Sequence, residues 1–215
     1  MSLKTIEQKL NEGRQYRNID VSGFAQADNE DGRKIVAGYA TTFSQPYELF
    51  RSGQYIVNEQ VDPHAFDETD MADVIMQYDH EGRVFARTGN GTLSLFTDDH
   101  GLLIEADLGG TEIGRQLYEE IKGGYTNKMS FGFRVAEDKR EETEDHETGM
   151  ITILRTITKI GKLYDVSAVS LPANAATEIS ARSYGEGVIA EAMQERQKCE
   201  DQRRRIRMKL KLNEV

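Results

Sequence analysis

The sequence predicts an α+β fold that is rich in strands and is able to close into a barrel. Most of the chain consists of short segments in which apolar and polar residues alternate, as they do in strands with one buried face. Helical patterns do not alternate with these segments, which argues against a parallel α/β fold. The 215 residues suit one domain with appended segments, and 38% hydrophobic with 30% charged residues allows a moderate core.

The first third of the chain predicts a weak helix, a hairpin and an irregular region. "SLKTIEQKLNEG" places Ile6 and Leu10 four residues apart before a glycine, which is typical of a short helix. "VSGFAQADNEDGRKIVAGYATTFS" predicts two extended pieces around the turn "DNEDG". Residues 45–69 mix turn residues with apolar pairs, so we expect an irregular excursion there.

The middle of the chain predicts a strand, a hairpin and a helix. "DVIMQYDHEGRVFART" predicts a strand that ends at a turn, with His80 at its edge. "GTLSLFTDDHGLLIEADL" alternates on both sides of "DDHG", which indicates a hairpin. In "TEIGRQLYEEIKGG" three apolar residues have helical spacing, while Thr111 is a good N-cap and Gly123 a good stop.

The last part predicts two β segments and a terminal helix. "NKMSFGFRVAED" alternates, and "MITILRTITKIGKLYDVSAVSLPAN" predicts a long strand, a kink at Gly161 and a second strand that Pro172 stops. Residues 137–148 lie between them and are so acidic that a solvated, mobile loop is expected. A linker around "SYGEG" is expected to precede one helix.

The distribution of charge along the chain indicates which kinds of partner the protein is able to bind. The net charge is −10, but residues 195–211 carry eight basic against three acidic side chains and form a basic tail. An acidic body argues against a nucleic-acid-binding domain, although the tail is able to touch nucleic acid or an acidic protein surface. No apolar run reaches membrane-spanning length and no signal peptide is visible, so we expect a soluble chain that stays where it is made.

Several common chemistries lack their motifs in this sequence. The one cysteine, Cys199, rules out an internal disulfide and an all-cysteine metal site, and its charged surroundings favour a bystander thiol. There is no HExxH, no paired histidine and no DxDxDG, so no metal site is expected. A phosphate loop, a dinucleotide-binding turn and a GxSxG elbow are also missing, and no cofactor is expected.

Ser130 is the first candidate for chemistry. In the predicted strand "NKMSFGF", Met129, Phe131 and Phe133 share one face, and Ser130 and Gly132 share the other. The second face is small and open, which suits a hydroxyl that a substrate must approach. An ordinary strand serine on the solvent side of a half-buried sheet fits the same pattern, and the residues alone favour that second interpretation.

His80 is a candidate base, and Asp165 is a candidate partner for it. An apolar strand delivers His80 to a turn beside two carboxylates, which favour the imidazolium, although the residues alone favour a structural role for a histidine at a strand end. Asp165 has apolar strand neighbours, so an inward carboxylate would need a partner, whereas an exposed strand face is an equal alternative. His64 and His100 lie in turn-like settings and His146 lies in the acidic stretch, where structural or solvated roles are expected.

Three spaced motifs resemble those of the prohead maturation proteases of HK97-type tailed phages. They are "VIMQYDHEGRVFART", "MSFGF" after a glycine-containing helix end, and "LYDVSAVSLPAN", with "GLLIEADL" between the first two. The resemblance covers about residues 20–180 and implies a herpesvirus protease-like β-barrel surrounded by helices. It also implies that Ser130 is the nucleophile, His80 the general base and Asp165 the third member, where herpesvirus relatives carry a histidine.

The resemblance further implies a serine endopeptidase of capsid maturation, working inside the assembling procapsid in the host cytoplasm. Its expected substrates are the scaffold protein or the scaffolding segment of the major capsid protein, and then the protease itself. Neither a membrane nor a specific nucleic acid is expected as a partner, and a homo-oligomer is left open. The alternative is a non-enzymatic assembly factor on a protease-like fold, against which the intact pair of Ser130 and His80 argues.

The expected division of the chain follows from the extent of the resemblance. It comprises an N-terminal segment (1–19), a protease domain (20–183), and a linker with a basic helix (184–215). The basic helix has two interpretations: it carries the protease into the particle, or it is removed by self-cleavage near "SYGEG".

Overall fold

The computed structural model describes residues 13–19, 25–28, 32–170 and 175–213. These residues form strands, two α-helices and a short 3-10 helix, and the predicted weak helix at the N-terminus lies outside them. The strands are β1 (Gln15–Ile19), β2 (Ala25–Asp28), β3 (Lys34–Thr42), β4 (Tyr47–Ser52), β5 (Tyr55–Val61), β6 (Ile75–Tyr78), β7 (Glu81–Arg87), β8 (Leu93–Thr97), β9 (Gly101–Asp107), β10 (Lys128–Glu144) and β11 (Ile151–Val169). The helices are the 3-10 turn Thr88–Asn90, α1 (Glu112–Lys122) and α2 (Ala175–Asn213).

The strands form two sheets, which confirms the α+β prediction. The larger sheet has the order β1-β10-β11-β5-β4, with β6 on the far end of β11 and β7 beside β6. The smaller sheet has the order β2-β3-β9-β8. Both sheets are open, so the closed barrel and its likeness to herpesvirus proteases are not confirmed. Apolar side chains from both sheets and from α1 share the main core, which holds β10 firmly in place.

Local signals predicted the hairpins and α1 correctly. The pairs β2–β3 and β8–β9 are antiparallel, as expected. Thr111 caps α1 by accepting a hydrogen bond from the Gly114 amide at 3.0 Å, and Gly123 follows its last turn. Residues 45–69 are more regular than predicted. Every second side chain of β5 is buried, and β5 pairs with β4 as an antiparallel hairpin.

The acidic stretch is a strand rather than a mobile loop. Residues 137–144 continue β10 and pair with β11 as far as Glu144 opposite Ile151. The apolar face of β11 is buried under α2, and Arg196 of α2 forms ion pairs with Glu142 and Glu144. The acidic composition predicted a loop. The backbone N–H and C=O groups of this charged segment nevertheless hydrogen-bond to the apolar strand beside it, which replaces their hydrogen bonds to water.

β11 also differs from its prediction, because it runs through Gly161 without a break. It is one strand of 19 residues, and the irregularity lies in its pairing with β10, where the register shifts between Gly132 and Asp138. Such bulges absorb the extra residues of one strand while the other stays continuous. The predicted stop at Pro172 lies outside the described residues.

The predicted linker is part of α2. Residues 183–187 are helical, and Tyr184 is buried in an apolar cluster with β4, β5 and β11. Gly185 allows α2 to pack closely against Phe50, because a Cβ at this position would lie 2.5 Å from atoms of Phe50. Cys199 is exposed, and neither described α-helix is long and apolar enough to cross a membrane. The division of the chain at 20 and 184 and the role of the basic tail stay predictions.

A buried charge network ties β1 to the rest of the larger sheet. Glu59 accepts from Arg17 Nε and Arg155 Nη1 at 2.5 Å each, and Tyr47 donates to the same carboxylate. Arg155 also pairs with Asp138. Burial by itself raises the pKa of Glu59, but the two guanidinium groups outweigh it and hold that pKa at about 2. Glu59 is therefore ionised, and it links its own strand β5 to β1, β4 and β11.

Candidate active site

His80 lies on a two-residue turn that joins β6 to β7. Tyr78 pairs with Glu81, and the two turn residues Asp79 and His80 have φ angles of 48° and 61°. Positive φ at both positions is the geometry of a type I′ hairpin, which usually carries Asn and Gly. The carboxylate of Asp79 accepts from the amide (2.9 Å) and hydroxyl (2.8 Å) of Ser170, which anchors the turn to the end of β11. The histidine therefore stands on a strained but rigid support.

Ser130 lies in the middle of the larger sheet, on β10 between β1 and β11. Asn18 of β1 pairs with it on one side and Ser167 of β11 on the other. Phe131 and Phe133 point into the main core, as the alternation predicts. The other face was predicted to be open, but Ser130 is fully buried. Its hydroxyl lies between His80 Nε2 and the Arg17 carbonyl of β1, a strand that the sequence did not reveal as a neighbour of β10.

The three residues named from the sequence form a continuous hydrogen-bonded chain. His80 Nε2 lies 2.5 Å from Ser130 Oγ, and His80 Nδ1 lies 2.5 Å from Asp165 Oδ2. A hydroxyl on one imidazole nitrogen and a carboxylate on the other is the arrangement in which histidine is able to take a proton from a serine.

The other three histidines lie in different surroundings. His64 is exposed beside Asp67, His100 packs against the ring of Tyr39, and His146 is exposed in the β10–β11 turn. The described residues contain no cluster of side chains suited to a metal ion.

Asp165 has two further partners that the sequence did not identify. Ser167 donates its hydroxyl to Asp165 Oδ2 at 2.8 Å, and the guanidinium of Arg14 contacts Asp165 Oδ1. Ser167 was in principle detectable, because two residues along a strand bring a side chain back to the same face. Arg14 has no such signal, since it precedes Asp165 by 151 positions.

Electrostatics favour the neutral form of His80 at physiological pH. Burial, followed by the charge of Arg14, lowers the pKa of His80 to about 4, although Asp79 opposes both effects. The side chain of His80 is 3% exposed, which agrees with burial as the main cause. The neighbouring carboxylates were expected to favour the imidazolium, but desolvation outweighs them. Above about pH 4 the ring is neutral and Nε2 is able to accept a proton.

The hydroxyl of Ser130 has a second acceptor within reach. It donates to the backbone carbonyl of Arg17 at 2.9 Å, while His80 Nε2 lies on its other side. A serine hydroxyl carries one proton and donates to one acceptor at a time. In this structure the β1 carbonyl therefore competes with His80 for the proton that general-base catalysis would remove.

A cleft of about 600 Å³ lies beside the His80 turn, between that hairpin and α1. Phe85, Ile113 and Leu117 supply apolar walls, and Glu81 and Glu120 supply acidic groups at the cleft. Its position makes it a candidate for holding a substrate side chain next to the histidine.

Replacing Gly132 by alanine is expected to reduce activity at least about tenfold and to destabilise the fold by about 1–3 kcal/mol. A Cβ at Gly132 would lie 2.1 Å from Asp165 Oδ1 and 2.8 Å from Arg14 Nε, so the carboxylate must move away from His80. The matched control is Gly161→Ala on the neighbouring strand, where the nearest atom to a new Cβ is 3.4 Å away. Peptide cleavage and urea unfolding of both variants measure the effect. Equal losses of activity and stability in the two variants would show that replacing a strand glycine, and not displacing Asp165, causes the loss.

Two comparisons with known proteins gave a match. A family model described as caudovirus prohead serine protease matches residues 22–198, a range that includes His80, Ser130 and Asp165. Among solved structures, the chain is similar to the bacteriophage T4 capsid assembly protease gp21, with a TM-score of 0.41 and 12% sequence identity. That similarity covers 72% of this chain and 98% of the T4 chain. The comparison with curated proteins gives no match.

Proposed function

The chain belongs to the caudovirus prohead serine proteases, and we propose that it is a serine endopeptidase with Ser130 as its nucleophile. Its substrates are the scaffold protein, or the scaffolding segment of the capsid protein, inside the assembling procapsid, and then the protease itself. The sequence motifs also lead us to infer that its two sheets correspond to the β-barrel of herpesvirus assembly proteases. The observation that carries the catalytic proposal is the unbroken chain from Ser130 Oγ through His80 to Asp165 Oδ2.

The proposed reaction proceeds through an acyl-enzyme. Ser130 Oγ attacks the carbonyl carbon of the scissile peptide bond while His80 Nε2 takes the hydroxyl proton. The C–N bond then breaks, and His80 returns that proton to the departing amine. A water molecule repeats the same two steps on the ester, which releases the carboxylic acid and restores Ser130.

Asp165 has two roles in this scheme. Its Oδ2 accepts the Nδ1 proton of His80, which leaves the lone pair on Nε2 facing Ser130. Its negative charge stabilises the imidazolium that forms in each transition state. Ser167 is a positioning residue, because its hydroxyl holds the same Oδ2 oxygen in place.

Co-expression with the capsid and scaffold proteins of the same phage tests the proposal. The chain is expected to produce shortened capsid or scaffold fragments, identified by mass spectrometry of the particles. Ser130→Ala and His80→Ala should leave these proteins at full length, whereas Ser94→Ala, on β8 of the other sheet, should process them normally. Particles that assemble correctly and are processed by the Ser130→Ala chain would overturn the assignment. If neither the unaltered chain nor any variant shortens the capsid and scaffold proteins, the non-enzymatic assembly factor is favoured.

A further inference from the structure

The C-terminal half of α2 extends past the two sheets into solvent. Among the described residues, Arg196 is the last on this helix to pair with a strand, through Glu142 and Glu144. Every side chain from Gln197 to Arg207 is exposed, and Ile206 is 58% exposed. A helix that is polar on all sides gains no stability from a core, so a second surface would stabilise this half of α2.

The end of this exposed half concentrates positive charge around one apolar side chain. Residues 203–207 (the arginine end) have the sequence "RRRIR" and contain no acidic residue. Their four arginines form no ion pair and no side-chain hydrogen bond with the residues that the structure describes. Like charges three or four positions apart on a helix repel one another. An acidic partner would therefore stabilise the arginine end.

A cleft of about 600 Å³ (the acidic cleft) lies where the first half of α2 packs on β10 and β11. Its floor is apolar, because it is lined by the buried side chains of Val188, Ala192 and Ile153. The charged side chains around this floor are Asp138, Glu141, Glu142, Glu191 and Glu195 against Lys139 and Arg140. Glu141 and Glu195 form no ion pair with any described residue. The cleft thus complements an apolar side chain that is flanked by cations.

The arginine end is unable to reach the acidic cleft of its own chain. α2 is one continuous helix, and Glu195 is its last residue at the cleft. Ile206 lies about 16 Å beyond Glu195 along the helix axis, at about 1.5 Å per residue. A second copy of the chain, however, is able to offer its cleft to this end.

We propose that two copies of this chain associate, with the arginine end of each copy in the acidic cleft of the other. Ile206 lies on the apolar floor, and the arginines pair with Glu141 and Glu195 of the other copy. Two identical exchanges close the pair around a two-fold axis, with the two α2 helices antiparallel. This dimer goes beyond the proposed function, since it does not involve Ser130, and the arginine end lies outside the family match at residues 22–198.

Analytical ultracentrifugation of the full chain measures the association. A dissociation constant of about 10 μM is expected at about 0.1 M salt, because each contact is small and its charges are partly solvated. Raising the salt to about 1 M should weaken the dimer at least about tenfold, since the screening length falls from about 10 Å to about 3 Å. A wild type that stays monomeric at about 100 μM protein would overturn the proposal.

Charge reversal identifies the two surfaces. Arg203→Glu/Arg207→Glu reverses the arginine end and Glu141→Lys/Glu195→Lys reverses the cleft, and the fold should be kept because all four side chains are exposed. Each double variant alone should associate at least about tenfold more weakly than the wild type. An equimolar mixture should dimerise like the wild type, because the reversed end meets the reversed cleft and the two unaltered surfaces meet each other. A mixture that stays monomeric would contradict the proposed pairing.

Arg83→Glu/Arg115→Glu is the matched control for the arginine end. It changes the net charge by the same amount at exposed residues of β7 and α1, away from α2, and should dimerise like the wild type. If it weakens the dimer as much as Arg203→Glu/Arg207→Glu, net charge and not the arginine end controls association. If the wild type is monomeric and binds a short DNA duplex through the arginine end, the partner is nucleic acid and the proposal is wrong.

Cys199 provides a check on the antiparallel arrangement. It is exposed, it is the one cysteine of the sequence, and it lies on α2 between the cleft residues and the arginine end. Reciprocal exchange brings Cys199 of both copies to the middle of the pair, so a short bismaleimide should link the wild type into a covalent dimer. Cys199→Ser should not be linked, and Glu141→Lys/Glu195→Lys should be linked at least about tenfold less. Association without cross-linking would overturn the antiparallel exchange.

Association and proteolysis fail separately. Ser130→Ala should dimerise as strongly as the wild type, and the same measurements on this background exclude loss of the arginine end by self-cleavage. A dimer that never shortens capsid or scaffold proteins would leave this inference standing and contradict the proposed function. A monomer that does shorten them would leave the proposed function standing and contradict this inference.

Discussion

Replacing Asp165 by asparagine is expected to lower kcat for peptide cleavage by about 10³–10⁴-fold. The amide has the shape of the carboxylate, but its NH₂ group would face His80 Nδ1 and favour the tautomer with the proton on Nε2. That tautomer is unable to take the proton of Ser130, which lies 2.5 Å away. The loss of negative charge also removes the group that would stabilise the imidazolium.

The measurement is steady-state cleavage of a peptide substrate, compared with Asp73→Asn as the control. Asp73 forms an exposed ion pair with Arg87, so its replacement should change kcat little. The expected loss is in kcat rather than KM, because Asp165 acts on the proton transfer and not on peptide binding. A loss smaller than about tenfold would show that Asp165 is not the third member of the site.

Replacing Glu59 by alanine is expected to lower the free energy of unfolding by about 3–5 kcal/mol. Arg17 and Arg155 are 2% and 0% exposed, and both pair with this carboxylate. Without it, Arg17 loses its ion-pair partner inside the protein, while Arg155 keeps Asp138. A buried cation without a counter-charge is costly because the low-dielectric interior does not replace its hydration.

Urea unfolding of Glu59→Ala and Glu48→Ala measures this cost. Glu48 also pairs with an arginine, but its side chain is 46% exposed, so its removal should change stability by less than about 1 kcal/mol. Similar midpoints for the two variants would mean that water reaches the network around Glu59.

Much of the fold was predictable because its signals are local. The hairpins β2–β3 and β8–β9 follow from turn residues between alternating segments, and α1 follows from spacing and a threonine cap. The errors arose where composition was used in place of contacts. The acidic stretch is a strand, paired with β11 and in contact with Arg196. The glycine-containing stretch is part of α2, and its Gly185 allows the helix to lie close to Phe50.

The candidate site shows the same division. Ser130, His80 and Asp165 were named from motifs that surround each of them, and the structure brings the three together, while their roles stay predictions. Ser167 was within reach of strand periodicity. Arg14 was not, because no local pattern links residues so far apart in the chain.

The sequence by itself determined which groups are available for chemistry: a serine on a rigid apolar strand, a histidine at a strand end, and a carboxylate on a third strand. Only the tertiary structure decided whether those groups are accessible. Ser130 is buried, with β1 paired beside it and His80 against its hydroxyl, and Arg14 contacts Asp165. Side-chain alternation follows from the geometry of one strand, whereas burial depends on which distant parts of the chain pack against each face.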